Sequence, residues 1–253
     1  MTAALSLDEI AVRLAQAASE VLLTRFRADD LVIDTKTLGL DIVTDADRAA
    51  EAAIAQLLHE LRPGDGMVGE EGTGITTRSG VTWVIDPLDS TANYARGLPL
   101  WSVSVAAQTP EGSAAAAVAG PALGELFTSL DPVRAPMVVD ASSALVLLGW
   151  GPSAAHTALG GWVGRHVTRG GKVRIPGSPA LGLAWASAGR ASAAYYAQDL
   201  HTWDVSAGLH LCRRQGLRTH VETSSDARHP HVLAAVPHLF DQLMDEFALG
   251  SRC

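Results

Sequence analysis

Asp86 and Asp89 stand at the end of a short apolar run, and Ser90 and Thr91 follow directly. The run holds Val81, Trp83, Val84 and Ile85, β-prone residues that predict a buried strand. Pro87 is expected to close that strand, because its ring removes a donor from the ladder. A strand ending this way delivers both carboxylates into one tight turn. Carboxylates held so close repel each other unless a proton or a cation intervenes. Hard oxygen donors at a strand end suit Mg²⁺, which takes one or two carboxylates plus substrate phosphate. A second reading stands beside this one: Asp, Ser and Thr are also ordinary caps of a helix N-terminus.

Three more acidic motifs lie elsewhere in the chain. Asp41-Ile42-Val43-Thr44-Asp45-Ala46-Asp47 precedes a helical pattern. Gly69-Glu70-Glu71-Gly72 follows a short strand at 67–68. His201-Thr202-Trp203-Asp204-Val205-Ser206-Ala207-Gly208 opens a helix. Each also has a plain reading, as helix capping, a solvated loop or an N-terminal helix charge.

These motifs must be positioned by a chain of 253 residues that is 47% hydrophobic, enough for one large domain or two small lobes. The stretch 130–136, with Pro132 and Pro136, is the expected boundary. It divides an N-terminal lobe, 1–133, from a C-terminal lobe, 134–253, within one structural domain. The net charge of −8 argues against a nucleic-acid partner and against a polybasic membrane surface. No apolar run reaches membrane length, and Asp8, Glu9 and Arg13 interrupt the N-terminal pattern as a signal peptide would not. Cys212 and Cys253 have neither metal-ligand spacing nor a disulfide framework, so a cytoplasmic protein is expected.

Ser6-Leu7-Asp8-Glu9 is a capping box before a helix carrying Ile10, Leu14, Val21 and Leu22. A second helix is expected from near Asp45 through Leu58, ended by Pro63-Gly64-Asp65-Gly66. Strands are expected at 102–107, 114–119, 126–129, 145–148, 193–196 and 232–236. Helices are expected at 154–166, 179–188, 205–214 and 239–249. Mixed elements without a strict βαβ period predict layered sheets sandwiched by helices.

Taken together and in order, the motifs resemble the inositol monophosphatase family of Mg²⁺-dependent, lithium-sensitive sugar-phosphate phosphatases. The stretch from Trp83 to Tyr94 is similar to the family's W-x-I-D-P-x-D-G-T-x-N-F. The stretch from Trp203 to Gly208 is similar to its W-D-x-x-A-G, and Gly177-Ser178-Pro179-Ala180-Leu181 to its G-S-x-A-L. The resemblance implies an α/β (α+β) protein with a layered αβαβα sandwich of the inositol monophosphatase and fructose-1,6-bisphosphatase type. It implies a homodimer and a phosphoric monoester hydrolase acting on a small phosphate ester. Inositol 1-phosphate leads, then histidinol phosphate, then nucleotide 3′-phosphates or fructose 1,6-bisphosphate. By the same resemblance Glu70, Asp86, Asp89, Asp204 and the Leu88 carbonyl would hold Mg²⁺, with Glu71 behind them and Lys36 adding positive charge nearby. Thr91 and Asp47, with Glu70, would serve catalysis by in-line attack of an activated water. Ser90 and Thr91 would hold the phosphate through their amides, and Gly177, Ser178 and Asp204 would face the substrate.

The chain departs from that pattern in places. Ser90 stands where the family has glycine, and Ala197 where many members have a glutamate that binds inositol hydroxyls. Pro179 is unusual beside the substrate, and 128–142 looks shortened. Residues 33–36, 43–49 and 62–66 look more like the histidinol-phosphate phosphatase branch. A catalytically weakened member with a binding or regulatory role is the competing expectation.

Overall fold

The computed structural model describes residues 4–37, 41–135, 137–150, 156–198, 200–223 and 228–249. The capping box forms as read: the Ser6 hydroxyl accepts from the Glu9 amide, the Glu9 carboxylate from the Ser6 amide, and α1 (Leu7–Arg25) begins. A two-stranded hairpin of β1 (Ile33–Thr37) and β2 (Asp41–Thr44) leads into α2 (Asp45–Leu61). Next come β3 (Gly66–Gly69), β4 (Gly74–Ile75), β5 (Thr82–Asp89) and the short α3 (Thr91–Ala95). Then β6 (Ser102–Thr109), β7 (Gly112–Gly120) and β8 (Glu125–Thr128) complete a six-stranded sheet in the order β4-β3-β5-β6-β7-β8.

The chain then crosses to β9 (Leu145–Trp150), α4 (His156–Thr168), β10 (Lys172–Arg174), α5 (Pro179–Ser187) and β11 (Ala193–Ala197). It ends with α6 (Thr202–Arg214), β12 (Arg218–Glu222), β13 (His231–Ala235) and α7 (Pro237–Glu246). The second sheet runs β10-β9-β11-β13-β12.

Packing follows from which strand faces are apolar. Ile10 and Leu14 of α1 and Ile54 of α2 bury against Trp83, Ile85 and Val105 on one face of the first sheet. The opposite face is small, with Ala106, Ala116 and Val118, and meets Ala180, Ala184 and Ala207. Helices α5 and α6 therefore fill the space between the sheets, since their other sides pack Leu183 and Leu209 on Ala194 and Tyr196 of β11. The outer face of the second sheet buries Leu233 and Tyr195 under Trp162 of α4 and Phe240 of α7. The result is the expected αβαβα layering. Closeness in the middle layer depends on glycine: a Cβ at Gly208 would lie 2.4 Å from that of Leu183.

Several boundaries differ from the sequence reading. Helix α6 starts at Thr202, which puts Asp204 inside its first turn, and α7 starts at Pro237, where proline's fixed φ suits a first turn. The expected start of α4 at 154 lies outside the described residues. Strands β1, β2, β4, β10 and β12 have no counterpart in the sequence reading, because each is short or polar; β12 is an edge strand whose single apolar residue is Val221. Among the described residues, no helix is long and apolar enough to cross a membrane.

Candidate active site

The end of β5 carries a bulge. Asp86 pairs with Ser104 of β6 and Asp89 with Ser102, so three residue steps on one strand oppose two on the other. Such a bulge re-aims side chains and ends a ladder. Asp86 Oδ1 accepts the Leu88 amide at 2.9 Å, which tightens the turn. Ser90 then takes φ 78°, ψ 57°, the left-handed region that costs an L-residue about 1–2 kcal/mol. That single conformation turns the chain into α3.

Two other elements bring their carboxylates to the same place. β3 lies parallel to β5, and the Glu70 amide donates to the Ile85 carbonyl. The Glu70 turn is held from behind by Glu51 of α2, whose carboxylate accepts the Glu71 amide at 2.8 Å and the Thr73 amide at 2.9 Å. A Cβ at Gly69 would lie 2.3 Å from that carboxylate, so only glycine admits this approach. Asp204 arrives on α6, where its Oδ2 accepts the His201 amide at 2.6 Å. Ser104 of β6 donates to the Trp203 carbonyl at 2.9 Å, seating the helix start over the first sheet.

Carboxylate oxygens of Glu70, Asp86 and Asp204 all come within 4.8 Å of one another. Asp89 lines the same cavity of about 270 Å³, together with Leu88, Ser90, Thr91, Gly177, Pro179, Gln198, Leu200 and the three clustered acids. Burial, then the charges of Glu70 and Asp89, push the Asp86 carboxyl well above its ordinary range. Burial and the Asp89 charge do the same to Asp204. Burial pushes Asp89 up to about 7, against the hydrogen bonds it receives. An all-oxygen, mutually repelling donor set of this kind fits a hard divalent cation.

Beside the cluster, the Thr91 hydroxyl lies 3.0 Å from Asp47 Oδ1 and 3.2 Å from the Leu88 carbonyl. Asp47 Oδ2 accepts the Thr44 amide at 2.9 Å and the Thr44 hydroxyl at 2.5 Å, in a capping box at the head of α2. Burial raises Asp47 to about 6 despite those donors.

The remaining expected residues fall as follows. Gly177 has φ 88° and lines the cavity. Ser178 is fully buried, and its hydroxyl donates to Asp89 rather than into the cavity. Ala197 is buried at the end of β11. Arg174 is exposed, with its guanidinium on the Val173 carbonyl. The His201 ring stacks on Trp203 with centroids 4.5 Å apart. The Lys36 side chain lies outside the described residues. Sequence reasoning missed Glu51, Ser102, Ser104, Gln198 and Leu200. For Glu51 a signal existed, a carboxylate on the buried stripe of α2 one turn after Asp47.

A sequence model of the inositol monophosphatase family matches residues 4–244. An inositol-1-monophosphatase SuhB of Mycobacterium tuberculosis is 32% identical over 235 residues, covering 85% of this chain and 81% of that protein. A histidinol-phosphatase of the same organism is 40% identical over 162 residues, which cover 60% of this chain and 61% of that protein. A Nus factor SuhB of Xylella fastidiosa is 33% identical over 219 residues, 82% of this chain and 78% of that one. Among solved structures, the extragenic suppressor protein suhB of Bartonella henselae superposes with a TM-score of 0.86 at 25% identity, covering 95% of this chain and 98% of the other.

The raised carboxylates bind protons more tightly in the folded chain than in the unfolded one. Without a cation, the contribution of Asp89 to stability is full below the ordinary carboxylate range and is lost as pH rises through about 7. In chelator, the melting temperature is expected to fall between about pH 5 and pH 8, and added Mg²⁺ to cancel most of that fall. Thermal melts across that range, with and without Mg²⁺, check this; curves that ignore the cation at every pH contradict the cation reading.

Proposed function

This chain belongs to the inositol monophosphatase family of phosphoric monoester hydrolases, and from that premise we propose that it hydrolyses a small polar alcohol phosphate with Mg²⁺ as cofactor. Inositol 1-phosphate is the leading substrate, and the proposed working unit is a homodimer. The observation that carries the reading is the convergence of Glu70, Asp86 and Asp204 within 4.8 Å, in the cavity that Asp89 and Thr91 also line. When bound, Mg²⁺ would supply the positive charge these carboxylates lack and lower the pKa of water.

Glu70, Asp86, Asp89, Asp204 and the Leu88 carbonyl would hold the cation. The Thr91 hydroxyl has one proton and two acceptors in reach, Asp47 and the Leu88 carbonyl. The Leu88 carbonyl would be given to the cation, so the Thr91 hydroxyl would donate to Asp47 and leave its lone pairs to orient the attacking water. A proton leaving that water would reach Thr91 while the hydroxyl's own passes to Asp47 Oδ1. The leading amides of α3 have no intrahelical acceptor, which suits them to a phosphate oxygen.

A second substrate, histidinol phosphate, is favoured by the 40% identity to the M. tuberculosis histidinol-phosphatase and by Ala197 in place of a hydroxyl-binding glutamate. The Nus factor relative keeps a regulatory role in view, although burying unused carboxylates without a cation would be costly.

Phosphate release from a panel of these esters tests the proposal. Release is expected with Mg²⁺, to be abolished by chelator and inhibited by Li⁺; full turnover in excess chelator would sink the assignment. Separately, Thr91→Ala and Asp47→Asn are each expected to lower kcat by about 10²–10⁴-fold, the range for positioned proton transfer, with little change in KM. Losses confined to KM would reassign both residues to substrate binding.

A further inference from the structure

We infer that Ser178, backed by Ser102, is a positioning residue for Asp89, fixing which of its oxygens faces the cation and so setting divalent-cation affinity. This inference rests on the proposed cation role of the site.

Asp89 Oδ2 is crowded with donors. The Ser178 hydroxyl lies 2.5 Å away, the Ala180 amide 2.7 Å and the Ser102 hydroxyl 3.3 Å. No hydrogen bond among the described residues uses Asp89 Oδ1. The Ser178 hydroxyl and the Ala180 amide between them take both lone pairs of that oxygen, so Oδ1 is the one presented to a metal.

The proton count is consistent. Ser178 accepts the Leu181 amide at 3.2 Å as the N-cap of α5 and spends its single proton on Asp89. The Ser102 hydroxyl lies 2.9 Å from that of Ser178 and can donate to it. Both serines are fully buried, out of reach of bulk water.

The two serines are also held in register. Asn93 donates from one amide nitrogen to the Leu100 carbonyl at 2.6 Å, before Ser102, and to the Pro176 carbonyl at 3.0 Å, before Ser178. Helix α5 is pinned one turn further along, where a Cβ at Gly182 would lie 1.9 Å from the Tyr196 hydroxyl. A carboxylate freed from this frame could rotate and lose its fixed aim, and outer partners of metal ligands typically change affinity about 10–100-fold when removed.

Calorimetric titration of Mg²⁺ and Mn²⁺ into the chelator-treated full chain tests this. Ser178→Ala is expected to weaken the dissociation constant about tenfold or more. In an Asp89→Ala background, where the cation retains Glu70, Asp86 and Asp204, adding Ser178→Ala is expected to change nothing further. A folded Ser178→Ala chain that binds as the wild type does, or an equal loss in both backgrounds, overturns the inference. If Ser178→Ala does not fold, Ser102→Ala is read in the same cycle, with a smaller loss expected that again requires Asp89. A wild-type chain that takes up neither cation would overturn the proposed function itself, whereas normal wild-type binding with an indifferent Ser178→Ala overturns only this inference.

Discussion

Like-charge repulsion among buried and half-buried carboxylates is the constraint that organises this molecule. Three of them converge within 4.8 Å, and Asp89 adds a fourth to the same cavity. At about 4 Å, two unit charges at an effective dielectric of 20 repel by about 4 kcal/mol. Among the described residues, no lysine or arginine lines that cavity, and the chain as a whole is acidic, with a net charge of −8. Protons or a cation relieve that repulsion. The rest of the structure holds the acids together against it.

That holding uses local devices of modest individual cost. A bulge at the end of β5 turns Asp86 and Asp89 out of the strand, and a left-handed Ser90 redirects the chain into α3. Glu51 satisfies two amides behind Glu70 and needs glycine at position 69 to do so. Retaining a side chain at Ser90 is a strain that glycine would relieve; strain of this kind tends to collect at functional sites, where the surroundings over-determine the backbone.

Much of the site was legible because its causes are local. The stretch from Trp83 to Tyr94 encodes strand, turn and helix in consecutive residues. The plain and the chemical readings of the other acids also turn out to be compatible. Asp47 caps α2 with one oxygen and meets Thr91 with the other. Asp204 accepts the His201 amide at the head of α6 and still joins the acidic cluster. Helix starts are fixed by residues that a sequence displays, which is why capping motifs located the chemistry. What escaped is non-local. Ser102 and Ser178 meet across 76 positions, and nothing in either neighbourhood announces the other. Ser178 was expected at the substrate because motif position does not reveal which way a buried hydroxyl points. Glu51 was hidden by the helix around it, where one carboxylate on an apolar stripe reads as an irregularity until its amide partners are seen.

The central claim is that one cavity holds a divalent cation between carboxylates drawn from three elements. Anomalous diffraction from crystals soaked in Mn²⁺, a hard cation that shares Mg²⁺'s preference for oxygen donors, tests it most directly. The account predicts its dominant anomalous peak in contact with Glu70, Asp86 and Asp204, with Asp89 contributing the oxygen that faces away from Ser178. A cavity left without a peak at saturating Mn²⁺, or a dominant peak on other side chains, would contradict it.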